Sequence, residues 1–412
     1  MGTGSGKIVA IVGAGPTGLM AAQVLSRHSS IEVHLFDHKP SVARKFLIAG
    51  RGGLNLTHSE DVTHFTRKYA ENSARFSQYL NRFSPDDMIS WASALSIETF
   101  KGSSGRIFPT GLKATPLLRA WLALLDEQNV QFHLKHSWIE IRDNKTLIFR
   151  TAEGKTVEFE ADAVLYAMGG GSYGHLGSDG AWVGAMRNLG VEIAPLKPSN
   201  CGFNIDWSDF FRAKFEGAPL KNIRLSYQGR SVPGDLVITS AGFEGNAIYA
   251  LSRPLRDALE THGSVTLDLD LKPSLSEEEV ARQLSAPRGK MSLSNFLRKK
   301  LKLSPLQTAL LHEVMPKPDF NDTGKLSKGI KALPVTLVGM QGIARAISSA
   351  GGVTFESLTD KLMIKGTRGQ FIAGEMLDWE APTGGYLLQG CFATGAVAAD
   401  GIAEYLGLCE KC

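Results

Sequence analysis

The chain opens on a short β-branched run, KIVAIV at residues 7 to 12, apolar at every position after its lysine. Such continuity suits a strand buried on both faces of a parallel sheet, because a strand wetted on one side alternates. TGLMAAQVLSRH follows, with Leu19, Ala22 and Leu25 at helical spacing, and IEVHLF gives a second strand ending at Asp37. Together these predict a βαβ unit. Between residues 195 and 345 the pattern changes to short alternating segments, among them KNIRLSYQG, GDLVITSAG and SVTLDLDL, separated by Gly and Pro turns. They predict a small β-rich unit of barrel type. From Ser276 the period turns helical: Ser276 and Glu279 make a capping box, and MSLSNFLRKKLKLSPLQTALLHEVM continues as helix. Its RKKLK stretch reads as a solvated helix face, with a patch for an acidic partner as the alternative.

Between the first strand and the first helix, Gly13, Gly15 and Gly18 spell G-x-G-x-x-G. In a chain with 44 glycines the spacing alone is weak, and the context decides. Gly13 allows a tight turn, Gly15 lets a pyrophosphate approach the backbone, and Gly18 lets helix and strand pack closely. The helix N-terminus then faces the phosphate charge. Asp37 lies where a carboxylate accepts from an adenosine ribose and repels a 2′-phosphate, which favours FAD or NAD over NADP at this position. The alternative is a set of glycine turns in an ordinary α/β protein.

Composition narrows the class further. The 412 residues suit two to three domains, and 43% hydrophobic with 21% charged residues is a globular composition. A formal charge of +4, without long basic runs, permits nucleic acid but does not imply it. Four cysteines, Cys201, Cys391, Cys409 and Cys412, are too few and too uneven for a disulfide framework. The Cys-x-x-Cys of LCEKC lacks a second ligand pair, so two plain thiols are expected there, and no metal elsewhere. No apolar run is long enough to span a membrane, and MGTGSGK does not read as a signal peptide; a cytoplasmic protein is expected.

Two further stretches bear on the ligand. ARKFLIAGRGGLNLTHSE, residues 43 to 60, carries glycines at 50, 52 and 53, bases at 44, 45 and 51, and Asn55, a loop able to wrap an anionic cofactor. Near the far end, strand residues Phe371 to Ala373 run into Gly374-Glu375, and Gly384-Gly385 opens a helix rich in small residues. The two halves are expected to meet on one ligand.

With ADAVLYAMGGGSYGHLGSDG at 161 to 180 and GGVTFESLTDKLMIKGTRGQFIAGEMLDWEAPTGGYLLQG at 351 to 390 added, the sequence is similar to the BaiN-like (YhiN-like) flavoproteins. These are a branch of the two-dinucleotide-binding-domain FAD oxidoreductases, and the resemblance spans nearly the whole chain. It implies an α/β protein: a discontinuous Rossmann-like FAD-binding domain, residues 1–194 and 346–412, with an inserted β-barrel-like subdomain at 195–274 and a small helical subdomain at 275–345.

Residue by residue, the resemblance implies that Gly13, Ala14, Gly15, Pro16 and Thr17, with Gly18, hold the pyrophosphate and Asp37 the ribose. Lys45, Gly52, Gly53, Leu54 and Asn55 would hold the middle of FAD, Glu375 beside Gly374 the ribityl side, and Ala167 and Gly169 belong to the glycine-rich third stretch. Trp138 stands where relatives place a residue flanking adenine, with a core residue as the alternative. The helix opened by Gly384, Gly385 and Tyr386 would point its N-terminus at the N1 and C2 carbonyl edge of the isoalloxazine and stabilise the reduced anion. Gln389 would add an amide to the ring edge, or sit on an exposed helix face. Leu54 stands where many relatives carry a cysteine, so thiol chemistry is absent at that point.

The catalytic residues stay unknown from sequence, with Arg51, Asn55 and His58 as candidates and His58 as the possible proton donor; Cys391 is expected to be core. Glu244 and Asn246 are candidate substrate contacts on the insert. The leading expectation is an FAD-dependent oxidoreductase with NAD(P)H as transient electron donor, reducing a small unsaturated or carbonyl compound. An RNA-modifying flavoprotein and a non-enzymatic flavin-binding redox module are the alternatives. The expected partner is a small-molecule substrate, with neither membrane nor nucleic acid.

Overall fold

Strand β1 (Lys7–Val12) forms where its apolar run predicts it, with Val9, Ala10, Ile11 and Val12 buried. It is the middle strand of a five-stranded parallel sheet in the order Gln370–Ile372, Ala163–Tyr166, β1, β2 (Ile31–Asp37), Gln131–Leu134. The sheet thus takes its strands from both ends of the sequence. Helix α1 (Pro16–Leu25) connects β1 to β2. Its burial exceeds the expected stripe: Thr17 through Leu25 are all buried, because the helix also packs along the C-terminal helix Tyr386–Tyr405. Gly395 permits that approach, since a Cβ there would lie 2.6 Å from the Thr17 carbonyl oxygen. A buried polar side chain on α1, Gln23, accepts from the indole N–H groups of Trp91 (3.0 Å) and Trp121 (2.7 Å).

In this computed structural model residues 6–49 and 52–408 are described. The chain forms two compact units, one from its two ends up to Lys197 and from Ser348, the other from Pro198 to Ile347. The first unit also holds a three-stranded antiparallel sheet of His136–Arg142, Thr146–Thr151 and Thr156–Glu160. A second small sheet joins Thr57–His58 to the hairpin Thr99–Lys101 and Arg106–Pro109.

In the second unit the alternating segments become strands Pro219–Tyr227, Arg230–Ile238 and Val265–Asp270 of a seven-stranded antiparallel sheet. Its two end strands, Leu333–Leu337 and Gly339–Met340, are consecutive in sequence. One pairs with Val265–Leu269, the other with Phe203–Asn204, and Val338 N–H also donates to the Asn204 carbonyl. The sheet therefore returns on itself as a small barrel, filled by Leu225, Leu236, Ile238, Phe243, Leu269 and Val335. Two barrel strands, Leu333–Leu337 and Gly339–Met340, come from the stretch expected to be helical, so barrel and helices share a single core. The capping box at Ser276 and Glu279 is formed in both directions.

The long helix expected after Met291 is two helices, Leu293–Leu301 and Pro305–Val314. Lys302 turns left-handed, and Ser304 restarts the chain through its own capping box with Gln307. Pro305, which has no N–H to give, suits the first turn of the new helix. Arg298, Lys299 and Lys302 of the RKKLK stretch are exposed and Leu301 is buried, the pattern of a solvated face. Among the described residues no helix is long and apolar enough to cross a membrane.

Candidate functional site

Where β1 ends, the chain must reverse beside two neighbouring strands, and glycine makes this possible. Gly13 has φ +112°, and a Cβ there would lie 2.3 Å from the Ala167 carbonyl oxygen. A Cβ at Gly18 would strike the Gly13 carbonyl at 2.0 Å and reach 3.2 Å from the Ile11 side chain, so this glycine lets α1 lie against β1. At Gly15 the space is open, with nothing within 4 Å. It faces a cleft of about 280 Å³ that lies wholly in the first unit.

Gly13, Ala14, Gly15, Pro16 and Thr17 form one side of this cleft. Asp37, Lys45, Trp138, Ala167, Gly169 and Glu375 join them from four other segments. Gly18 sits behind as packing, and Gly374 is buried, where a Cβ would collide with Thr17 Oγ1 at 2.3 Å. Asp37 accepts from Ala14 N–H (2.9 Å) and Lys39 N–H (2.8 Å), which ties the end of β2 to the glycine turn. Lys45 Nζ donates to Glu375 Oε2 (2.7 Å) and Ser172 Oγ (2.7 Å), and Ser349 N–H donates to Glu375 Oε1 (3.0 Å). This ion pair links residues 330 positions apart across the cleft's inner end.

Four buried polar atoms on the lining have no partner: His38 Nε2, Arg44 Nε, Trp138 Nε1 and Ser178 Oγ. Leaving such groups unsatisfied costs about 1–3 kcal/mol each, so a site that gathers four of them is shaped for a polar ligand. Sequence reasoning missed His38 and Ser178. It also missed Trp182, whose indole donates to the Gly169 carbonyl (2.9 Å) and fixes the loop beside Gly13. The signal available was the glycine spacing around Ser178, which carries the chain past Lys39 and His38.

Cys391 lines the cleft rather than sitting apart in the core. Burial pushes its thiol up to about 12, and the nearby Glu375 carboxylate acts in the same direction, so it stays protonated.

The carboxy-terminal glycines are required by close packing within the chain. A Cβ at Gly385 would come within 2.6 Å of Thr57 Cα, and one at Gly384 within 2.8 Å of the Tyr386 ring. The room they leave is filled by the chain itself. Gln389 is fully buried rather than on an exposed face, and its Nε2 donates to the Phe83 carbonyl (2.8 Å). Its Oε1, with Asn55 Oδ1 and Thr57 Oγ1, is buried without a partner. Tyr386 donates to Glu60; burial, then that carboxylate, pushes its phenol well up.

His58 does not fit a proton donor. Its Nδ1 accepts from Glu60 N–H (3.1 Å), which leaves Nε2 to donate to the Ser104 carbonyl (2.9 Å), and both ring nitrogens are thereby spent on backbone. Gly52, Gly53 and Leu54 follow α-helix Arg44–Ala49, with Leu54 buried; Gly50 and Arg51 lie outside the described residues, as do Cys409 and Cys412. Glu244 and Asn246 belong to the barrel unit, not to the unit that carries the cleft.

Comparison with known proteins agrees with this architecture. The chain is 25% identical over 411 residues to a 3-dehydro-bile acid Δ(4,6)-reductase from Clostridium scindens, covering 96% of this chain and 99% of that one. In fold it is similar to a 3-ketosteroid-Δ4-(5α)-dehydrogenase from Rhodococcus jostii (TM-score 0.51, 13% identity, 98% of each chain). A 3-ketosteroid Δ1-dehydrogenase from Sterolibacterium denitrificans is also similar (TM-score 0.50, 13% identity, 97% of this chain and 100% of that one). The model of the HI0933-like protein Rossmann domain matches residues 7–401; the chain belongs to that family and is a flavoprotein oxidoreductase built on a Rossmann-type FAD-binding domain.

Proposed function

We propose that the cleft holds FAD and that the enzyme takes hydride from NAD(P)H to reduce a small unsaturated or carbonyl compound. The observation that carries the cofactor assignment is the set of four unpartnered buried polar atoms around the open face of Gly15. Gly13 to Thr17 and the N-terminus of α1 would hold the pyrophosphate. Asp37 spends one hydrogen bond on each of its oxygens, and a carboxylate has about four acceptor sites, so it keeps capacity for ribose hydroxyls. Trp138, its ring on the cleft wall, would flank the adenine. The Lys45–Glu375 pair would meet the ribityl and phosphate region, with Glu375 supplying acceptors for hydroxyls and Lys45 charge for the diphosphate.

At the other end, the buried unpartnered oxygens of Asn55, Thr57 and Gln389 are the groups that would face the ring system, near the helix N-terminus opened by Gly384 and Gly385. When bound, FAD supplies hydride transfer, and the protein supplies position and dielectric. A reduced carbon–carbon double bond as the outcome is supported by the end-to-end match with a named reductase.

Anaerobic stopped-flow mixing of the yellow holoenzyme with NADH and with NADPH tests the donor. Bleaching by at least one, followed by reoxidation with an unsaturated ketone, is the expected result. Absorbance unchanged by both would overturn nicotinamide use.

A further inference from the structure

The barrel unit carries a second cavity, an open groove of about 510 Å³ that shares no lining residue with the cleft. Its floor is apolar: Phe211 and Phe215, buried on helix Asp209–Phe215, meet Leu303 from the turn between two later helices. Phe210 stands at the rim with 67% of its surface exposed, the most of any large apolar side chain among the described residues. This leaves an aromatic surface in water that a bound apolar body would cover.

Charge at the rim is net positive, two cations against one carboxylate. Lys214 Nζ lies 5.1 Å from the Phe210 ring centroid and 5.6 Å from that of Phe215, with no carboxylate partner among the described residues. Among the described residues Arg298 reaches only the Asn295 side-chain oxygen, at 3.0 Å. Glu313, the one acid on the lining, is spent as a cap, accepting from the Ser208 hydroxyl (2.9 Å) and backbone N–H. His312 stacks on Phe320 at 4.4 Å, and burial lowers its pKa, so it adds no charge at neutral pH. Lys214 and Arg298, neither in an ion pair among the described residues, therefore share the lining with the single carboxylate of Glu313, and Lys214 stands over the aromatic floor, in a volume suited to a small molecule.

We propose that this groove binds an amphipathic anion, a molecule with an apolar ring-bearing or acyl body and a single carboxylate or sulfonate-type head. The body lies against Phe210, Phe211 and Phe215, and the head meets Lys214 and Arg298. This site goes beyond the redox reaction and does not depend on where the flavin binds.

Calorimetric titration of the FAD-loaded full chain with 8-anilinonaphthalene-1-sulfonate tests it, with the uncharged N-phenyl-1-naphthylamine as companion probe. Saturable binding is expected, with Kd raised about tenfold or more by Lys214→Glu/Arg298→Glu for the sulfonate but not for the neutral probe. Phe210→Ser should weaken both. All three side chains are exposed, so circular dichroism and flavin content should stay at wild-type values. Sulfonate binding unchanged by the charge reversal and by Phe210→Ser would overturn the proposal. So would the absence of binding together with a sedimentation shift from dimer to monomer on Phe210→Ser, which would make a second copy of the chain the occupant.

Discussion

Gly15 and Gly385 each stand at the start of a helix, and the absence of a side chain has a different consequence at each. At Gly15 the space beyond Cα is empty and opens on the cleft, whereas at Gly385 it is filled by the backbone of Thr57. Gly15 also has an ordinary φ of −83°, while Gly385 sits at +97°, where only glycine is unstrained. The second glycine is a concession to the fold, whereas the first leaves open the cleft in which FAD is proposed to bind. A glycine-opened helix therefore identifies a cofactor site only once it is known what occupies the missing side chain's place.

Substitution separates the two roles. Gly385→Ala should be the most damaging change, costing about 3–5 kcal/mol through collision and backbone strain, seen as a large fall in Tm with or without FAD. Gly15→Ala should leave the apoprotein's stability within about 0.5 kcal/mol of wild type but weaken FAD binding about a hundredfold, measured by titrating apoprotein. Equal losses of apoprotein stability in both variants would erase the distinction. Next in size, Glu375→Gln should cost about 1–3 kcal/mol, because Lys45 loses its ion-pair partner in a half-buried setting.

Trp138→Phe removes a buried donor that has no partner in the protein, so the apoprotein should be as stable as wild type or slightly more so. FAD binding should weaken by a few-fold to about tenfold if the indole N–H meets the cofactor. A pH-dependent effect concerns His133, stacked on Phe36 beside the cleft, whose Nε2 lies 2.9 Å from His34 Nδ1. Burial, then His34 and His136, lower its pKa to about 4 from an ordinary value near 6.5. The unfolded chain binds the extra proton first, so stability falls as pH drops from about 6.5 through 4. Melting curves across that range should be flatter for His133→Phe; an identical slope would remove His133 from the account.

What the sequence revealed follows the range of the interactions involved. β1, α1, β2, Asp37 and the capping box at Ser276 are set by neighbours within a few residues, and each is visible in the local pattern. The barrel was legible as alternating strands, but its closure depends on residues 333–340 meeting both Val265–Leu269 and Phe203–Asn204, which no local period encodes. The same holds at the candidate site. His58 reads as a free acid–base group until Ser104 and Glu60 claim its two nitrogens, and Gln389 reads as ring-facing or exposed until Phe83, 306 residues away, takes its amide. The break at Ser304 was written in the Ser-Pro pair, yet the apolar period on either side masks it.

A crystal structure of the chain reconstituted with FAD tests the central claim most directly. It should place the pyrophosphate against Gly13–Thr17, with adenine by Trp138 and the Lys45–Glu375 pair at the middle of the cofactor. FAD bound away from this cleft, or a chain that takes up no flavin on reconstitution, would contradict it.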